Sequence, residues 1–217
     1  MASVSKRIFI KGARLSYPSL DVPRASMNGE GDAKYQATFL LEPTNESVKL
    51  IKAAMVEVAN QAFKEKAAGI LKNPEKLPLK EGNKKETIPE GYADMLYIAA
   101  RSKDKPELRD ANPRILITEQ EQIREKFVAG YKVNGFIDIY AYQVKQGNVV
   151  VRSGLAAGLV SVQFAGYADT FGGRSMTNAA DYPDCTADVE STATYAPGAA
   201  GQQAEPGFTD EGDELPF

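Results

Sequence analysis

The sequence predicts a mainly β fold, a β-rich α+β arrangement in which about five strands close into a small barrel beside one substantial helix. Three observations lead there. Runs of alternating apolar and polar residues recur between Arg7 and Arg152, only one segment carries a long helical stripe, and residues 176–217 carry no periodic pattern.

The elements follow in chain order. Arg7–Tyr17 (RIFIKGARLSY) opens as a β run and is expected to stop at Pro18. A loop with Asn28, Gly29 and Gly31 leads to Tyr35–Leu41, where Tyr35, Ala37, Phe39 and Leu41 share one face and Gln36 and Thr38 the other. The two runs make a long hairpin, closed off by Pro43. Val48, Ile51, Met55, Val58 and Ala62 then repeat at helical spacing. Thr44 or Asn45 can cap the start of this helix, and Gly69 lies just past its expected end. Its outward face mixes Glu46, Lys49, Lys52 and Glu57, so it reads as a lid on the core.

Leu71–Gly91, rich in Lys, Pro and Glu, is a long excursion. Asp94–Arg101 is a further strand and Pro113–Thr118 a short one, followed by a helical-looking surface stretch around Glu119, Glu121 and Glu125. The clearest strand is Tyr131–Gln143. Val133, Gly135, Ile137, Ile139 and Ala141 form its apolar face; Lys132, Asn134, Phe136, Asp138, Tyr140 and Tyr142 form the other. Gln146-Gly147-Asn148 turns the chain into Val149–Arg152. Leu155–Phe164 fits a strand or a short helix, because Gly154 and Gly158 leave both open. Five strands, one helix and long loops suggest an OB-type barrel.

Composition narrows the chemistry. Of 217 residues none is His and only Cys185 is Cys. That excludes internal disulfides, Cys/His zinc sites and every His-based acid–base mechanism, and fits a reducing compartment. No apolar run reaches the ~18 residues of a membrane span. The start, MASVSKRIFIKGAR, becomes charged too early for a secretory signal, so the cytoplasm is the expected location. Neither a phosphate-cradling glycine loop nor a dinucleotide fingerprint is present; Gly172-Gly173-Arg174 is too short to serve. The three glutamates at 119–125 fit a solvated face better than a metal cluster. No catalytic residue, metal ligand or cofactor is expected.

Charge is divided unevenly. Nine of the 29 acidic residues and none of the 26 basic ones lie in 176–217, so residues 1–175 hold 26 bases against 20 acids, a net charge of +6. We therefore divide the chain into a cationic domain, 1–175, and a disordered acidic C-terminal tail, 176–217.

Rings interleaved with cations are what an unpaired nucleic-acid strand needs, since bases stack on rings and phosphates follow cations. Lys132, Phe136, Tyr140 and Tyr142 fit that recipe, although burial beneath a helix or a second sheet fits the same rings. Lys11, Arg14 and Tyr17 near the end of the first run, Lys34 and Tyr35 at the start of the second, and Arg101, Lys103, Arg152 and Arg174 at later strand ends and turns complete the candidate DNA contacts. In the terminal DEGDELPF, Asp210, Glu211, Asp213 and Glu214 precede Leu215-Pro216-Phe217. An acidic arm with an apolar tip makes a portable anchor for a partner's basic-rimmed pocket, and can also compete with DNA for the chain's own cations.

That terminus resembles the acidic Pro-Phe tip of bacterial single-stranded-DNA-binding proteins, which recruits replication and repair enzymes. The body resembles a phage family of OB-fold single-stranded-DNA-binding proteins, formerly a domain of unknown function. The stretches carrying the likeness are Gly12–Pro18, Lys34–Leu41, Gly130–Asn134, Ile139–Tyr142 and Gly158–Phe164. The resemblance implies an OB fold, strand protection during phage replication or recombination, and the host cytoplasm. The leading expectation is a non-catalytic binder of single-stranded DNA that recruits replication or recombination proteins through its tip, with homo-oligomers allowed and no membrane partner. The alternatives are a protein-interaction adaptor of the replication machinery and a metal-dependent phage nuclease or recombination enzyme.

Overall fold

Along β1 (Ser5–Arg24) the alternation buries Ile8 and Ile10 and leaves Arg7, Phe9 and Lys11 on the other face. This computed structural model describes residues 4–25, 32–147 and 149–172. At Gly12 (φ +66°) the alternation slips, so that Ala13 and Leu15 return to the interior. That slip is a β-bulge, and it bends the strand. The N-terminal half of β1 pairs antiparallel with β6 (Lys132–Gln146), and the C-terminal half pairs with β2 (Lys34–Leu41).

Pro18 does not end the strand. It sits in a second register break, beside Tyr17 at φ +45°, where the ladder is already interrupted and no N–H is required. The run therefore reaches Arg24.

From β2 the sheet continues antiparallel to β4 (Leu96–Ser102). β4 then pairs parallel with β7 (Val149–Gly166) at Ala100↔Ala157. β7 lies antiparallel to β6 and so returns to β1. The order β1–β2–β4–β7–β6 is a closed five-stranded barrel of OB type, with β3 (Leu79–Glu81) added on β4 and β5 (Glu107–Arg109) added on β7. Residues 155–164 belong to β7, which settles them as strand. The expected strand at 113–118 does not form. Leu116 makes one isolated bridge to Arg109, and the paired segment is β5, which is too short to show an alternation of its own.

Phe39, Ile98, Val133, Ile137, Ile139 and Val162 fill the barrel. Helix α1 (Glu46–Phe63) closes one end with Val48, Ile51, Met55 and Val58. Asn45 is its cap, in extended conformation, its Oδ1 accepting from the Ser47 N–H at 2.8 Å. Its Nδ2 donates to the Lys11 carbonyl (3.0 Å), and Ser47 Oγ accepts from the Lys11 N–H (3.0 Å), fastening the helix to the β1 bulge. Such a cap contributes ~0.5–2 kcal/mol. α1 ends at Phe63, where Lys64 takes φ +49°; Gly69 lies within the short α2 (Ala67–Leu71). α3 (Gln120–Lys126) buries only Ile123.

The 71–91 excursion runs back along the barrel as β3, and the chain after it covers the outer side of β1 and β2 with Tyr92. The Tyr92 hydroxyl meets Ser16 Oγ at 3.1 Å, which accounts for the burial of Ser16 on an otherwise outward position. Burial pushes the Tyr92 hydroxyl pKa up. Asn28, Gly29, Gly31, Arg174, the expected tail 176–217 and its tip Asp210–Phe217 lie outside the described residues. Among the described residues no helix is long and apolar enough to cross a membrane.

Candidate nucleic-acid interface

Of the two arrangements the sequence allows for the outer face of β6, burial and exposure, the structure leaves the face uncovered at Phe136. Phe136 is 41% exposed, while Tyr140 and Tyr142 are half-buried. Asp138, the one acid on that face, is gripped by Arg7 through two bonds of 2.9 Å from Nε and Nη2. Its charge is thereby answered within the protein.

Tyr140 and Tyr142 line a groove of about 700 Å³ between β4 and β7, bounded by Lys34 at the start of β2 and Val144 on the β6–β7 hairpin. Lys34, Lys80, Arg101, Lys103 and Arg152 contribute five cations to it, and Tyr97, Tyr140 and Tyr142 three rings; Glu75 is its one acid. In OB barrels this is the region, between the loop joining the first two strands and the loop joining the last two, that takes oligonucleotides. Tyr142 lies against β7 because its cross-strand partner is Gly154. A Cβ there would meet the Tyr142 hydroxyl at 3.1 Å and the Lys76 carbonyl at 2.9 Å. Lys103 is held by Asp32 at 2.5 Å, a hydrogen bond that keeps the carboxyl below and the ammonium above their ordinary pKa values. Lys34, Lys80, Arg101 and Arg152 make no ion pair with described residues.

The groove thus gathers six sequence candidates: Lys34, Arg101, Lys103, Tyr140, Tyr142 and Arg152. Others lie elsewhere. Lys11, Lys132 and Phe136 stand on the outer β1–β6 face. Tyr35 shares the inward side of β2 with Ala37 and Phe39. Tyr17, 49% exposed, stands beside Tyr92 and Tyr97, with the Lys85 ammonium 4.5 Å from the Tyr92 ring, 4.9 Å from Tyr97 and 5.9 Å from Tyr17. Arg14 is engaged by the protein itself. Its Nε donates to the Gly130 carbonyl and its Nη2 to the Asp169 carbonyl, while its guanidinium lies 4.8 Å over the Phe171 ring.

The model of one protein family, described as the ssDNA-binding protein of Enterobacter phage Enc34, matches residues 6–192. The chain belongs to this family. Protein p50 of Acyrthosiphon pisum secondary endosymbiont phage 1 is 28% identical over 184 residues, covering 82% of this chain and 93% of that protein. The structure of the Enc34 single-stranded-DNA-binding protein in complex with ssDNA is similar at TM-score 0.65 and 24% identity, over 76% of this chain and 89% of that one. The fold also matches gp2.5, a single-stranded-DNA-binding protein encoded by bacteriophage T7, at TM-score 0.51 and 11% identity, covering 91% of this chain and all of that one. At such identities the two structures bear on the fold of this family member alone.

Sequence reasoning missed three residues. Tyr97 shares the outer face of β4 with Ala99 and Arg101, an alternation already visible in LYIAAR. Phe9 is outward for the same reason, flanked by the buried Ile8 and Ile10. Lys80 enters the groove only because β3 pairs with β4, which no local pattern announced. Among the described residues no group of three or more Cys, Asp or Glu is placed to hold a metal ion.

Proposed function

We propose that this chain binds single-stranded DNA in the β4–β7 groove, without catalysis and largely without regard to sequence. One observation carries this reading: five cations and three tyrosines, drawn from five separate stretches of the chain, converge on one open groove. A ring accepts any base on its face, each stacked base contributing about 1–3 kcal/mol, while the cations follow the phosphates. Family membership supports the same ligand. Tyr97, Tyr140 and Tyr142 are the stacking residues, and Lys34, Lys80, Arg101, Lys103 and Arg152 the phosphate contacts.

Such a protein protects exposed strands during phage replication or recombination in the host cytoplasm. Its terminal Asp210, Glu211, Asp213, Glu214, Leu215, Pro216 and Phe217 dock replication or recombination proteins, the ring filling an apolar pocket while basic residues of the partner meet the acids. The test is a fluorescence titration of labelled oligo-dT with the full chain and with a chain lacking residues 210–217. Tight binding that weakens with salt is expected from both, with retrieval of host replication proteins by the full chain only. No binding of oligo-dT at low salt refutes the DNA reading, and equal retrieval by both chains refutes the role of the tip.

A further inference from the structure

We infer a second stacking subsite for single-stranded DNA, built on Phe9 and Phe136, outside the groove. It rests on the DNA-binding reading above and extends the strand's path around the barrel.

Two phenylalanines face each other across β1 and β6, ring centroids 4.9 Å apart, and both stand in solvent, 39% and 41% exposed. Large rings at the centre of a barrel strand are ordinarily covered; an uncovered pair marks a contact surface. Beside them lies a largely apolar hollow of about 420 Å³, floored by Ser161 and walled on the far side by Glu107 and Arg109 of β5. That volume falls within the ~300–1,000 Å³ usual for small-ligand sites. The Arg109 guanidinium is held in place by Glu107 at 2.5 Å and by the Pro113 carbonyl, which accepts from its Nη1; both bonds run in the guanidinium plane and leave its face for a flat group. A flat group entering here meets phenyl faces on one side and a guanidinium on the other, which is how unstacked bases are held.

Charge favours a nucleic acid over a protein surface as the occupant. Lys11 follows Phe9 by two positions on β1 and Lys132 precedes Phe136 by four on β6; both are exposed and make no ion pair with described residues. Continuity favours it too. Phe136 and Tyr140 lie on the same face of one strand, about 13 Å apart at the usual strand rise. A strand leaving the groove along β6 passes Asp138, already neutralised by Arg7, and arrives at the phenylalanines. This path joins the remaining β6-face candidates, Lys11, Lys132 and Phe136, to the groove.

The experiment compares oligo-dT of about 4 and about 16 nucleotides, the two ends of the range for one OB fold. The full chain, a Phe9→Leu/Phe136→Leu variant and a Tyr140→Ala/Tyr142→Ala variant are titrated with each. Leucine keeps apolar bulk at exposed positions, and thermal melting of each variant verifies that it folds. The phenylalanine variant is expected to lose at least about fivefold in affinity for the long oligonucleotide and nothing for the short one. Unchanged affinity for the long oligonucleotide overturns the subsite. Equal loss on both lengths overturns it as well, by placing the rings in the primary footprint. So does loss of self-association, read by light scattering, with DNA binding intact, which would make the face a contact between copies. If the tyrosine variant binds both lengths as the unaltered chain does, the groove reading falls separately, and the length dependence at Phe9 and Phe136 still decides this proposal.

Discussion

Arg101 on β4 and Arg152 on β7, both in the groove, and Arg14 on β1 are the same residue type in the same barrel, with different employment. The first two line an open groove and make no ion pair with described residues. Arg14 donates to two carbonyls and covers the Phe171 ring, tying residues 130 and 169–171 to the barrel. Lys126 is likewise committed, to Asp110 at 2.7 Å. Basic residues counted along the chain do not separate these groups. Arg14 and Lys126 spend their donors on groups that hold separate stretches of the fold together, whereas Arg101 and Arg152 stand in the groove with no such tie among the described residues.

The largest effect is expected at the rings of the groove: Tyr140→Ala/Tyr142→Ala should cost about 2 kcal/mol or more in oligo-dT binding, some 30-fold, with little change in melting temperature. Arg14→Ala should do the reverse. Loss of its hydrogen bonds is expected to cost about 1–3 kcal/mol of folding stability, lowering the melting temperature by several degrees while oligo-dT affinity at 25 °C stays within about twofold. If Arg14→Ala impairs binding as strongly as the tyrosine variant, the division of labour is wrong.

Asp32 sharpens the contrast, because it competes with phosphate for Lys103. Asp32→Asn should tighten oligo-dT binding by a few-fold at low salt and by nothing measurable at high salt, since an exposed pair is screened. The smallest effect concerns pH. The hydrogen bond from Lys126, helped by the Ala111 N–H, holds the Asp110 carboxyl below its ordinary 3.8. A lowered carboxylate pKa stabilises the fold above the unfolded value and loses that contribution as pH falls through the folded one. Melting temperature should therefore drop on acidification below about pH 4, and Asp110→Asn should flatten part of that drop without touching DNA binding.

Much of the fold was legible because burial in a barrel has period two. The odd and even sets of Tyr131–Gln143 separate in the structure as they do in the sequence, and the stripe from Val48 to Val58 packs as a helix. What could not be read depends on pairing at a distance. Pro18 looked like a stop because nothing local reveals a bulge at Tyr17. Three residues, Glu107–Arg109, are too few to show alternation, while Pro113–Thr118 has the composition of a strand but meets β5 only through the single Leu116–Arg109 bridge. The groove was legible in its residue types but not in its membership. Lys34, Arg101, Tyr140 and Arg152 are brought together by the β4–β7 closure, and Lys80 and Tyr97 joined them unannounced.

The salt dependence of oligo-dT binding counts the phosphates that the groove cations neutralise. For single strands, log K falls with log[salt] at a slope of about −0.7 per phosphate neutralised. A Lys34→Gln/Arg101→Gln/Arg152→Gln variant should therefore show a slope shallower by about 2, and Arg14→Gln a slope equal to that of the unaltered chain. Equal slopes for the triple variant and the unaltered chain would contradict the assignment of the groove to DNA.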